Sequence, residues 1–241
     1  MILPNVRASF GRAEAGLVVE LLAGSSESDR RSLTDRLRDD GFDALLDDPR
    51  TLNAVLTAEE AGVTPGLVFY VLVRHALLES GIDDRTMADY IAAMLLKFGE
   101  RNRAYRIDDA DETTYFYLVD ILDAMEEAAG RRAFLLRAHL GNFALWLSGI
   151  FPDHVQARTR RRGAPGLAYY EELGSTGYRM AAGTTHAGTH GLDVVYLRCA
   201  DAFPALRVAL NRVSDRYFFQ AGDPLDRLLR QVSDAFDQKH G

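Results

Sequence analysis

Apolar residues along this chain recur every three or four positions, and no stretch shows strict alternation bounded by turn dipeptides. That period predicts helices from one end to the other. LVVELLA (17–23) is a first short apolar segment, and SDRRSLTDRLRDDGF (28–42) reads as a polar helix stopped by Gly41. Asp48 and Pro49 introduce RTLNAVLTAEEAG, with Asp48 or Thr51 as its cap. TPGLVFYVLVRHALLESG (64–81) places Pro65 in a first turn and Gly81 at an end. DDRTMADYIAAMLLKFG (83–99) runs from acidic caps to Gly99, with Met87, Ile91, Met94, Leu95 and Phe98 at helical spacing.

After the polar junction RNRAYRIDDADE, the pattern predicts a helix over TTYFYLVDILDAMEEAAG (113–130) and another from about Arg131 to Gly149. A short basic helix follows from Pro152 to Gly163, then PGLAYYEELG (165–174) and a looser GYRMAAGTTHAGTHG (177–191). The segment 192–218 must be divided or kinked at Pro204, which lacks the helical N–H donor, and a last helix is predicted over 224–240. DVVYLRC (193–199) is the best strand candidate, but its neighbours keep the helical period. The expected fold is all-α: about ten helices in a compact antiparallel bundle-like array around a central helix near 131–149. A soft boundary near residue 62 would set an acidic N-terminal helical cap (1–62) on a main α-helical domain (63–241).

The helix near 131–149 is unusual because it is apolar nearly all round yet carries polar side chains. At about 100° per residue, Leu135, His139, Asn142 and Trp146 form one strip, and Leu136, Leu140, Phe143, Leu147 and Ile150 form the next. Buried His and Asn must each find a hydrogen-bond partner, so they serve either to organise a core or to meet a ligand. Just beyond lie His154, Arg158, Arg160, Arg161 and Arg162, then Tyr169 and Tyr170. Arginine planes and tyrosine rings stack bases and clamp phosphates. A cationic helix end also complements its own dipole, and Gly163 ends this helix.

Charge adds an asymmetry. Residues 1–130 hold 13 basic against 25 acidic residues, and residues 131–241 hold 15 against 10, so an acidic half precedes a basic one. Arginine supplies 26 of the 28 basic residues, so an arginine by itself says little. The single cysteine, Cys199, excludes an intramolecular disulfide and suits a reducing cytoplasm. The first residues lack a basic start followed by a long apolar stretch, and runs such as GLVFYVLV (66–73) fall short of a span, so no signal peptide or membrane association is expected.

Other motifs add less. His186 and His190 form an H-x-x-x-H pair, but three nearby glycines and the missing glutamate argue against a zinc helix, and no cofactor or metal is expected. His75 and Glu79 stand at helical spacing without any E-x-x-H motif. DDADE (108–112) superficially resembles the aspartate-rich motif of isoprenoid synthases over five residues, without a second such motif. Acidic pairs at 39–40, 47–48, 83–84 and 108–109 stand mostly just before predicted helices, where carboxylates cap free N–H groups. There is no G-x-S-x-G, P-loop or G-x-G-x-x-G.

Two readings follow. In the first, the chain is a non-catalytic interaction protein (a regulator, adaptor or scaffold) whose basic Arg/Tyr face at 158–179 docks an acidic partner or another copy of the chain. In the alternative, it is an enzyme or ligand-binding protein with an inter-helix pocket near His139, Asn142 and Trp146, taking an anionic small molecule. There His139 or His154 would be acid or base, Asn142, Tyr169 and Tyr170 would orient the ligand, and the arginines would hold its phosphate or carboxylate. Nucleic acid is not expected as a partner, given the acidic overall charge.

Overall fold

The computed structural model describes residues 1–58, 62–100, 102–108 and 111–218. The helix expected over 224–240 and part of the 108–112 acidic run lie outside them. Among the described residues the chain is all-α, with 13 α-helices and no strand. It divides into two compact units, Ile2–Arg101 and Asn102–Gly241, the latter with Met1. The division falls after residue 101 rather than near 62.

The first unit holds α1 (Arg12–Ala23), α2 (Glu27–Asp40), α3 (Phe42–Leu46), α4 (Pro49–Thr57), α5 (Pro65–Glu79) and α6 (Arg85–Gly99). Helix α5 packs on both α4 and α6, which is why the chain does not separate at residue 62. Side-chain caps start four of these helices: Ser26 accepts from Asp29 N, Asp48 from Arg50 N, Thr64 from Leu67 N and Asp84 from Met87 N. Of the acidic pairs, Asp47 has a different task. Its carboxylate holds the fully buried Arg74 through Nε at 2.8 Å and Nη2 at 2.9 Å, a two-pronged pairing that offsets the burial of the charge.

The second unit holds α7 (Leu118–Glu126), α8 (Gly130–Ile150), α9 (Pro152–Arg162), α10 (Leu167–Ala182), α11 (Thr185–Thr189), α12 (Asp193–Asp201) and α13 (Phe203–Val213). Helix α8 is its centre: 15 of its 21 residues are buried, and it packs against α7, α9, α10, α11 and α13. Pro204 sits in the first turn of α13, where its missing N–H costs nothing.

Two boundaries differ from the sequence pattern. Residues 113–117 are not helical, and α7 starts only at Leu118, because Asp120 accepts from the backbone N–H of both Phe116 (3.0 Å) and Tyr117 (2.9 Å). Conversely, α10 runs unbroken through Gly174 and Gly177, which let helices meet rather than end one. A Cβ at Gly177 would lie 2.8 Å from Gly141 N and 2.9 Å from Arg137 O, so α8 and α10 approach backbone to backbone. No single helix among the described residues is long and apolar enough to cross a membrane.

Candidate functional site

A sharp corner between α8 and α9 shapes the surface that carries the arginines. The two helices meet at 89°, with Phe151 in a non-helical conformation and Pro152 opening α9. Ending a buried helix exposes carbonyls that need donors. Asn211 Nδ2 donates to Ser148 O and Gly149 O, each at 2.8 Å, and Ser214 Oγ donates to Ile150 O at 2.6 Å. Arg207 in turn holds Asn211 Oδ1 at 2.9 Å and pairs with Glu171. The corner is therefore a satisfied buried network.

The facing wall comes from residues 102–106 and 115–117. Asn102, at φ +60°, takes the left-handed conformation and opens a single turn over Arg103–Tyr105. Tyr115 N then bonds back to Tyr105 O at 2.8 Å, tying the two extended ends together. This pairing and the Asp120 cap set Tyr105, Phe116 and Tyr117 side by side. Tyr105 and Phe116 have ring centroids 5.1 Å apart, and Tyr105 meets Phe143 at 6.0 Å and Trp146 at 6.1 Å. Phe116 and Tyr117 remain 55% and 53% exposed.

Between these walls lies a cleft of about 500 Å³ lined by Tyr105, Phe116, Tyr117, Phe143, Leu147, His154, Ala157, Arg158, Arg161 and Arg162. The five α9 residues stand at i, i+3, i+4, i+7 and i+8, one full face of the helix. Arg158 lies over the Tyr117 ring, 5.2 Å from its centroid, a cation–π contact joining the two walls. Among the described residues no carboxylate lines the cleft, and none of their ion pairs includes Arg158, Arg161 or Arg162.

Magnitudes separate a site from a solvated helix end. Like charges at i,i+3 and i,i+4 cost roughly 0.2–0.5 kcal/mol per pair. The helix dipole returns about 0.3–1 kcal/mol for each cation in the last turn. The dipole alone thus accounts for Arg160, Arg161 and Arg162. It does not account for His154 and Arg158, which lie earlier, share the face and look onto aromatic rings. They share the cleft-facing side of α9 with Arg161 and Arg162.

The sequence candidates divide accordingly. His154, Arg158, Arg161 and Arg162 line the cleft; Arg160 is exposed but off the lining. His139 and Asn142 are buried in the packing of α8 and do not line it. The His139 ring stacks on Phe143 at 5.7 Å, and burial, aided by the charge of Arg103, pushes its pKa down to about 3. It is neutral at ordinary pH and so a poor proton shuttle. Asn142 Oδ1 accepts from Tyr178 Oη at 2.9 Å, binding α8 to α10. Trp146 packs edge-on to Phe151 at 4.9 Å, directly behind the cleft.

Tyr169 and Tyr170 also stand off the lining. Tyr170 is buried, which raises its pKa against the opposing charge of Arg158, and Tyr169 meets it edge to face at 6.2 Å. His186 stacks on Phe134 at 5.8 Å, and His190 is exposed. Among the described residues no group of three or more His, Cys, Asp or Glu is placed to hold a metal ion.

Tyr105, Phe116 and Tyr117 were not among the sequence candidates. The signal that could have found the last two is Asp120, an acid at the third position of a helix that leaves its preceding residues extended. As for relatives, no protein-family model, curated protein or solved structure matches the chain.

Proposed function

We propose that this protein binds an anionic small molecule with an apolar body in the cleft beneath α9. What supports the reading is the face formed by His154, Ala157, Arg158, Arg161 and Arg162 opposite Tyr105, Phe116, Tyr117 and Phe143. The cleft volume of about 500 Å³ falls within the ~300–1,000 Å³ of ligand sites. Among the described residues the lining offers cations, hydroxyls and rings, with one imidazole and no carboxylate or thiol. That inventory suits holding an anion and leaves a reaction unassigned.

Native mass spectrometry of the purified protein, followed by calorimetric titration with anionic aromatic compounds and their neutral analogues, tests the reading. Binding is expected for the anions alone and is lost in the R158E/R161E/R162E variant. A panel that never binds, or binding unchanged by the triple reversal, overturns it.

A second reading, docking of an acidic protein partner, draws on the exposure of Phe116, Tyr117 and Val119, each more than half open. Arg160 separates the two. It stands outside the cleft, so R160E leaves small-molecule binding intact, whereas a broad docking face would weaken with it.

A further inference from the structure

The arrangement of the two walls says more about the ligand, on the premise that the cleft is a small-molecule site. Cations occupy one wall only. From His154 to Arg162 the charged face spans eight residues, about 12 Å of helix rise. A single carboxylate engages one guanidinium, while a chain of phosphates can engage several. Among the described residues no carboxylate lines the cleft, so a polyanion entering it would meet three guanidiniums and no acidic side chain.

The other walls are aromatic rather than aliphatic. Four rings (Tyr105, Phe116, Tyr117 and Phe143) stand there beside one aliphatic side chain, Leu147. An alkyl chain would be matched by the reverse composition. A planar heteroaromatic ring is matched by rings on which it can stack. We infer that the ligand is a nucleoside di- or triphosphate, its base among Tyr105, Phe116 and Tyr117 and its phosphates along Arg158, Arg161 and Arg162.

The test is calorimetric titration of the full-length protein with ADP, adenosine, pyrophosphate, 2-naphthoate and a 5′-phosphorylated single-stranded RNA decamer. ADP is expected to bind at least tenfold more tightly than adenosine, pyrophosphate or 2-naphthoate, and R158A/R161A/R162A to lose it. F116A is expected to weaken ADP about 5- to 150-fold, the range given by base stacking, and to leave pyrophosphate unchanged. Phe116 is chosen over Tyr117 because the Tyr117 ring also carries Arg158. Its exposure keeps the fold intact, checked by an unchanged circular dichroism melt.

The outcomes separate cleanly. Binding of 2-naphthoate as tight as that of ADP overturns the nucleotide assignment and leaves the anion site standing. Binding of the RNA without ADP moves the site to nucleic-acid ends and also overturns it. If none of the five binds, both the assignment and the underlying reading fail.

Discussion

Replacing His139 by glutamine removes a titrating group buried in the middle of α8, and the consequence for acid stability can be worked out beforehand. Folding holds the imidazole neutral, with a pKa of about 3 against an ordinary 6.5, because burial penalises its charged form and Arg103 adds repulsion. The unfolded chain therefore binds the extra proton. The stabilisation is complete above pH 6.5 and declines as the pH falls towards 3. At 1.36 kcal/mol per pKa unit, the step from pH 6.5 to 4.5 removes about 2–3 kcal/mol.

Urea unfolding followed by tryptophan fluorescence is the assay, since Trp146 is the only tryptophan and reports on the unit Asn102–Gly241. With a urea slope of about 1–3 kcal/mol/M, the wild-type midpoint should fall about 1–2 M further than that of H139Q over this interval. Carboxylates titrate in both proteins and cancel in the difference. Parallel midpoint-versus-pH curves for the two proteins would refute the reasoning, and with it the exclusion of His139 as a proton shuttle.

The corner at α8–α9 is tested by Asn211→Ala, which leaves Ser148 O and Gly149 O without that donor and should cost about 2–4 kcal/mol. Ser214→Ala loses the bond to Ile150 O and should cost about 1–2 kcal/mol; urea midpoints in the reverse order would count against the corner network. Gly177→Ala drives a Cβ to within 2.8 Å of Gly141 N and should destabilise by about 1–3 kcal/mol, while Gly188→Ala, which meets nothing within 4 Å, should be neutral or mildly stabilising. Equal melting temperatures for the two glycine variants would show that the α8–α10 approach is not tight.

Element type was legible because periodicity, proline and side-chain caps are local signals. Pro152, Pro204, Asp48 and Asp84 each mark a helix start in the structure as they do in the sequence. Glycine was the weaker guide, because its two uses look alike in one dimension. Gly41 sits at φ +81° and ends α2, as its position suggests. Gly174 and Gly177 continue α10, and what decides this lies far away: a Cβ at Gly174 would meet the Phe203 ring, and one at Gly177 would meet Gly141 and Leu140. The unit boundary was hidden for the same reason, since the packing of α5 on α4 is a tertiary fact without a compositional mark.

The candidate residues show which polar signals carry furthest. His139 and Asn142 drew notice as polar side chains in an apolar helix, yet such residues need buried partners whether or not a ligand exists. Tyr178, 36 residues downstream, meets that need for Asn142. The α9 cations pose a different question. His154, Arg158, Arg161 and Arg162 share a face by spacing alone, which the sequence displays, while Tyr105, Phe116 and Tyr117, whose rings turn the face into a cleft, could not be read from it. A polar group inside an apolar helix is thus ambiguous by construction. A charged face opposite Phe116 and Tyr117, each more than half exposed, is the observation on which the proposed anion site rests.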